Sequence, residues 1–510
     1  MKRLWLYLIL CLICHNLNAQ KEINTPLHEF RGVWVATVAN IDWPSQPGLS
    51  TEEQKRELLR ILDHHQRLKL NAVMLQVRPA ADAFFADGKE LWSYYLSGKQ
   101  GQAPDPLYDP LAFAVREAHN RSMELHAWFN PYRAAQDNDH RKRSPDHISR
   151  SRPEWFFKYG TKTYFNPGIP EVRDYIVEVI LDVVRRYDID GIHFDDYFYP
   201  YPGEEALPDS LTFQKYGADR FDHIEDWRRD NVDQLIRTLN EEIHKVKPHV
   251  KFGVSPFAIW RNQKEDPRGS HTNGFTSYDG LYADVYKWMK EGWMDYVNPQ
   301  IYFPFHYPPA AFEKLLKWWD ENNFGIQVLI GQAAYRALEG KNGWEDWSQL
   351  PRQVRELRLK EHIGGSVFFS SRSLLDNRAG FSDSLRTDLY RHQALPPPMP
   401  WIDSIAPPSA VNVRSTVIDR YVRLRWDWPE GTDGLEDVYG YVIYRCEEGG
   451  KIDFDSNQHV IALSFKPEEF YFDTSRIPGK NYRYAIRTLD RLKNLSEVEV
   501  EVEVKVEVER

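Results

Sequence analysis

From residue 30 to about 391 the chain repeats one pattern, a short apolar run followed by a longer amphipathic stretch. The apolar runs are "FRGVWVATV" (30–38), "NAVMLQVRP" (71–79), "ELHAWFNPY" (124–132), "DGIHFDDYF" (190–198), "KFGVSPFAI" (251–259), "DYVNPQIYF" (295–303), "GIQVLIGQAAY" (325–335) and "GGSVFFSS" (364–371). Helical periodicity follows near 51–70, 110–121, 170–187, 226–247, 281–291, 309–322 and 349–361, with a further helical stretch at 381–391. Strands separated by helices pair in parallel, and eight such units predict a closed (β/α)₈ barrel rather than an open doubly wound sheet. No Gly-rich phosphate loop follows the first strand, which weighs against a nucleotide-binding fold.

After residue 393 the pattern changes. "ALPPPMPWIDSIAPPSA" (394–410) reads as a proline-rich, semi-rigid linker. Period-two runs follow at 421–428, 439–446 and 481–490, and the chain closes on "SEVEVEVEVKVEVER". Short strands with turn signals between them predict an all-β sandwich over 411–510. In the closing run Val would pack and Glu would face water.

At the other end, Met1, Lys2 and Arg3 precede an apolar stretch that finishes at Ala19, the pattern of a secretory signal over 1–19. Its cysteines, Cys11 and Cys14, each follow a bulky residue, so soluble export to the periplasm or exterior is expected rather than lipoprotein anchoring. Cleavage would leave Cys446 as the one cysteine, with no internal disulfide. No other run is long and apolar enough to span a membrane. A net charge of -10 without a basic patch argues against nucleic acid.

Reacting groups of such a barrel sit at the C-terminal rim, and alternate residues of a strand face its mouth. That phase groups Gln76 with Arg78, then His126, Trp128 and Asn130, then His193, Asp195 and Tyr197, and finally Asn298, Gln300 and Tyr302. Barrel interiors are usually Val, Ile and Leu, so four strands gathering polar groups on one face point to a binding mouth. Asp195 should aim inward, ringed by Tyr197 and Tyr199. Partial desolvation would raise its pKa and suit it to acid/base work. Asp196 faces outward or turns back past the strand end. Trp34, Trp128, Trp260 and Tyr302 offer apolar faces to sugar rings, and Asn130, Asn166 and Gln300 could hydrogen-bond hydroxyl or acetamido groups. Metal-ligand spacings and a G-x-S-x-G elbow are lacking, so no metal or cofactor is expected.

"FRGVWVATVANIDWPS", "YDPLAFAVREAHNRSMELHAWFNPYR", "FNPGIPEVRDYIVEVILDVVRRYDIDGIHFDDYFYPY", "SPFAIWRN" and "YADVYKWMKEGWMDYVNPQIYF", in this order, resemble the glycosyl hydrolase-like 10 family of exported bacterial proteins over roughly 27–390. The segment beyond the linker resembles a fibronectin type III module. The family resemblance implies a glycosidase-like barrel (27–393) and cell-wall glycan as substrate class. It also implies Asp42, Arg78, Trp128, Asn130, Asn166, Asp195, Asp196, Trp260, Arg261, Gln300 and Tyr302 as site positions. The fourth strand is also similar to the chitinase D-G-x-D-x-D-x-E motif, with Tyr197 where the acid Glu would stand.

The expected activity is hydrolysis of a glycosidic bond by a carboxylate pair. Asp195 and Asp196 are the catalytic candidates, with Asp42 and Asp82 as further partners for Asp195. Asp42, Arg78, His126, Trp128, Asn130, Asn166, His193, Tyr197, Trp260, Arg261, Gln300 and Tyr302 are the substrate-binding candidates. The rival expectation is a glycan-binding protein without a working acid pair. A polysaccharide is the expected partner, with cell-envelope association, and the barrel alone is expected to carry the activity.

Overall fold

The computed structural model describes residues 25–136, 143–419, 421–427, 434–435, 437–466, 468–477, 479–498 and 501–504. The expected signal, 1–19, lies outside the described residues. Eight parallel strands close into a barrel: β1 (Phe30–Val35), β2 (Ala72–Arg78), β3 (Glu124–Phe129), β4 (Gly191–Phe194), β5 (Lys251–Val254), β6 (Tyr296–Val297), β7 (Gln327–Gln332) and β8 (Ile363–Phe368). Neighbours in sequence are neighbours in space, and β8 returns to pair with β1. The main outer helices are α1 (Thr51–Arg67), α2 (Pro110–His119), α3 (Pro170–Arg186), α4 (Ile224–Val246), α5 (Val285–Lys290), α6 (Phe312–Glu321) and α7 (Gln349–Leu357). The start of α1 follows from its sequence: Ser50 and Glu53 cap each other's backbone N–H groups.

The strand pleat sorts two cores. Val33, Val35, Val73, Leu75, Leu125, Ile192, Phe252, Val328 and Phe368 point outward and pack under the helices. Phe30, Trp34, Met74, Trp128, Tyr296, Leu329 and Val367 point inward and fill the barrel. Space for the large rings comes from glycine. A Cβ on Gly253 would lie 2.1 Å from the Tyr296 ring, and one on Gly191 would lie 2.5 Å from His126. Every strand stops short of the C-terminal end of its sequence run, and four of them also start one or two residues later than the run. Pro299, which has no N–H to donate, stops β6 after two residues. Gln300 then makes isolated bridges to Phe257 and Gly331, so the wall continues without a regular ladder.

The C-terminal segment is all β, as expected, in two antiparallel sheets. One orders 411–418, 421–427 and 470–473; the other orders 460–464, 440–447, 482–489 and 501–504. Val422, Leu424, Trp426, Tyr441, Ile443, Tyr484 and Ile486 fill the space between them. Val502 is half-buried, Glu503 exposed and Val504 buried, the alternation the closing run implies.

The proline-rich stretch is no free spacer over its first half. Leu395 is buried against Val442 and Leu489 of the second sheet together with Leu27, while Met399 joins the inner core of the barrel. Thr25 donates to Asn457 at 2.5 Å, so the lead into β1 also lies on the C-terminal domain. Proline limits helix and ladder formation but does not prevent burial of the apolar residues beside it.

Candidate active site

At the C-terminal rim of the barrel lies a cavity of about 400 Å³. Trp34, Gln76, Trp128, Asp195, Tyr197, Gln300 and Tyr302 line it from the strand ends; Arg133, Lys162, Tyr335 and Phe369 line it from the loops. Among the described residues Asp195 is the one carboxylate in this lining.

Each strand contributes through its own geometry. β2 presents Gln76, whose Oε1 accepts the backbone N–H of Thr37 and of Val38 and whose Nε2 donates to Asn130 Oδ1 at 2.5 Å. That fixes the amide of Asn130, which turns its Nδ2 to Asp195 Oδ2. Trp128 Nε1 donates to the same oxygen at 3.2 Å. Among the described residues, the other oxygen, Oδ1, receives the Tyr197 N–H, at 3.3 Å. Burial drives the pKa of Asp195 up to about 7, with the neighbouring Asp196 adding to the rise and Arg133 opposing it. Asp196 points the other way, accepting the phenol of Tyr201, and Gln300 reaches the same carboxylate. Burial raises it less far, to about 6, because these donors favour its ionised form. Gln300 is itself held by Nε2 donating to Ser255 O at 2.9 Å.

His126 and His193 belong to the barrel interior below the cavity. Trp34 Nε1 donates to His193 Nε2 at 2.9 Å, and His193 Nδ1 lies 3.0 Å from Tyr296 Oη. Tyr296 Oη also lies 2.9 Å from His126 Nδ1, while His126 Nε2 meets Glu124 at 3.1 Å. Neither histidine lines the cavity; they stand behind its wall residue Trp34.

Five expected positions lie elsewhere. Asp42 accepts Ala36 N–H and Arg372 N–H, each at 2.7 Å, and Ser370 Oγ at 2.8 Å, so it ties the end of β1 to the loop after β8, behind the lining. Arg78 is out of phase with Gln76 because the β2/β3 register shifts between them. It forms a buried two-bond pair with Glu90, each bond 2.6 Å. Asn166 folds its own loop, accepting Gly168 N–H at 3.0 Å and donating to Thr212 at 2.8 Å. Trp260 lies in the loop after β5, stacks on Tyr286 and donates to Asp284 at 2.9 Å. Arg261 pairs with Asp279 and Asp266. Asp82, the further partner considered for Asp195, is buried outside the lining and receives Ala80 N–H at 3.1 Å.

Strand phase gives no reason to choose Arg133, Lys162, Tyr201, Tyr335 or Phe369. Arg133 and Lys162 enter on a three-stranded excursion after β3, formed by 133–135, 156–159 and 162–165, with order 133–135, 162–165, 156–159. The Arg133 guanidinium sits over the Tyr197 ring, 4.3 Å from its centroid. Among the described residues, no group of three His, Cys, Asp or Glu side chains is arranged to hold a metal ion, and no helix is long and apolar enough to cross a membrane.

A family profile described as glycosyl hydrolase-like 10 matches residues 29–349. Glycosyl hydrolase YngK of Bacillus subtilis is 44% identical over 492 residues, covering 94% of this chain and 93% of that protein. The chain belongs to the glycosyl hydrolase-like 10 family. A second relative, glycosyl hydrolase DigH of Escherichia coli K12, is 38% identical over 363 residues, 66% of this chain and 82% of that one. Among solved structures, the PgaB (BpsB) glycoside hydrolase domain of Bordetella bronchiseptica aligns with a TM-score of 0.46 and 16% identity, over 71% of this chain and 98% of that domain. This member of the glycosyl hydrolase-like 10 family is thus a glycoside hydrolase, and a glycan is its class of substrate. Asp195 lies within residues 29–349, which the family profile matches.

Proposed function

We propose that the protein cleaves glycosidic bonds in cell-wall glycan strands, with Asp195 as general acid. The observation that supports this most is the state of Asp195: a buried carboxyl on the cavity wall whose pKa is raised to about 7. Near neutral pH such a group holds a proton in a substantial fraction of molecules and can hand it to a leaving oxygen. Trp128 and Asn130 both donate to Oδ2, so the proton belongs on Oδ1. Asp196, at about 6, is the more ionised member and, from behind the lining, supplies negative charge toward a developing oxocarbenium centre in the cavity. Trp34, Trp128, Tyr302 and Phe369 give the aromatic walls that sugar rings stack on, and Arg133 and Lys162 place positive charge where an acidic glycan substituent would lie.

The reading includes export to the envelope, supported by the charged start and apolar stretch of 1–19. The fibronectin type III likeness of the C-terminal domain is also part of it, supported by two short-stranded antiparallel sheets.

The test is incubation of the purified mature protein with cell-wall glycan strands, peptide-bearing and peptide-free, beside chitin and α-glucan oligomers. New reducing ends from the cell-wall strands, lost in Asp195→Asn and Asp196→Asn, are expected. A second reading, glycan binding without cleavage, draws on Asp195 standing alone among the carboxylates described in the lining. It requires strand binding with no new reducing ends from the wild type.

A further inference from the structure

Lys493 combines two unfavourable features. It sits in the turn after 482–489 with φ +70°, a left-handed conformation that residues with a Cβ adopt rarely, and its side chain is fully buried. Asp490 holds the turn, accepting Asn494 N–H at 2.9 Å and Asn494 Nδ2 at 2.8 Å. A strained, buried ammonium persists only when its surroundings hold it there, and such outliers mark functional constraints.

The ammonium leaves the C-terminal domain and reaches Glu124 at the foot of β3, 3.1 Å away. Lys251 donates to both oxygens of the same carboxylate, at 2.7 and 2.9 Å. Burial alone would raise Glu124, but the two ammonium groups hold it well below the usual carboxylate range. Glu124 is also the lower end of the hydrogen-bonded file through His126, Tyr296 and His193 to Trp34.

That file has one permitted direction. An indole N–H can only donate, so His193 Nε2 accepts from Trp34 and His193 Nδ1–H donates to Tyr296 Oη. The Tyr296 hydroxyl then donates to His126 Nδ1, which leaves His126 Nε2–H for Glu124. Both imidazoles must be neutral. A second proton on His126 would aim two N–H groups at the Tyr296 oxygen and leave the Tyr296 hydrogen without an acceptor.

We infer that Lys493 is a positioning residue: from the C-terminal domain it fixes Glu124, and through the ordered file it sets the Trp34 wall of the cavity. With Lys493 removed, Glu124 is held by Lys251 alone and loses the contact that fixes its carboxylate against His126 Nε2–H. Only the last link, from Trp34 to glycan, rests on the proposed function.

The test uses the full chain labelled with ¹⁵N-histidine, as wild type and as Lys493→Met, together with dissociation constants for peptide-free cell-wall strands. In the wild type, His193 should carry its proton on Nδ1 and His126 on Nε2. Folded Lys493→Met should lose the His126 pattern and bind strands about 5-fold or more weakly, roughly 1 kcal/mol. If Lys493→Met does not fold, Lys493→Gln, which keeps a polar end near Glu124 without the charge, is read the same way. A folded variant that retains the His126 pattern or full affinity overturns the inference, as does a wild type with His193 protonated on Nε2. The imidazole signals do not depend on the ligand. Wild-type protein with the stated tautomers and no strand binding would therefore contradict the glycan reading and leave the tautomer comparison to decide the file.

Discussion

Trp128 Nε1 lies 3.2 Å from Oδ2 of Asp195; the register pairs Trp128 with His193, so the indole of β3 reaches up to the carboxyl just past the end of β4. This contact orients Asp195 without neutralising it, whereas a cation at that distance would hold the carboxyl ionised. It makes the pH dependence specific. Catalysis needs Asp195 protonated and Asp196 ionised, so activity should fall as pH rises through about 7 and as it falls through about 6. The measured profile should be a narrow bell whose two limbs belong to the pair. A plateau extending to pH ~9 would contradict the assignment of the acid.

Stability should follow the same groups with the opposite convenience. Both carboxyls have folded pKa values raised above their unfolded ones, so the folded chain keeps protons that the unfolded chain has released. Their stabilising contribution is complete below the ordinary carboxylate range and is lost as pH rises to about 7. Asp195→Asn should therefore gain stability relative to wild type at pH ~8 more than at pH ~5, as read by denaturant midpoints.

Tyr201 is the donor that separates Asp196 from Asp195. Tyr201→Phe removes a hydrogen bond to the ionised carboxylate, so the Asp196 pKa should rise and the acid limb of the bell should move to higher pH. Maximal kcat should drop by about 10-fold or more, because the window in which the two groups differ narrows. An unmoved acid limb would place that limb on another group.

Arg78 gives a contrast within the same strand. Its pair with Glu90 is buried on both sides, with 1% exposure of each side chain. Glu90→Gln should cost about 3–5 kcal/mol by leaving the guanidinium without its charge partner. The surviving folded enzyme should keep its KM, since neither residue lines the cavity. A changed KM with unchanged unfolding free energy would return Arg78 to the binding site.

The barrel was legible because two periods, near two and near 3.6, alternate eight times, and Asp195 was legible because it shares a phase with His193. Phase held for Asp195, Tyr197, Gln300 and Tyr302 just past their strand ends, and failed where the ladder shifts register. The register shift after Gln76 turned Arg78 away, and Trp260 lies in a loop beyond the end of β5. The excursion that brings Arg133 and Lys162 to the cavity pairs only within itself, so barrel periodicity carries no trace of it. One signal was available: Arg133 closes the "AWFNPYR" motif two residues beyond Pro131. The union of the barrel with the C-terminal domain was hidden for another reason. Lys493 in a turn reads as an ordinary exposed lysine until the two buried partners are placed in space.

The most direct test is the initial rate of reducing-end release from peptide-free cell-wall strands by wild type and Asp195→Asn at the wild-type optimum. Asparagine can accept the same Trp128 and Asn130 bonds but has no acidic proton, so the account predicts a fall of about 10²–10⁴-fold in kcat with strand binding retained. Turnover by Asp195→Asn equal to that of the wild type would contradict it.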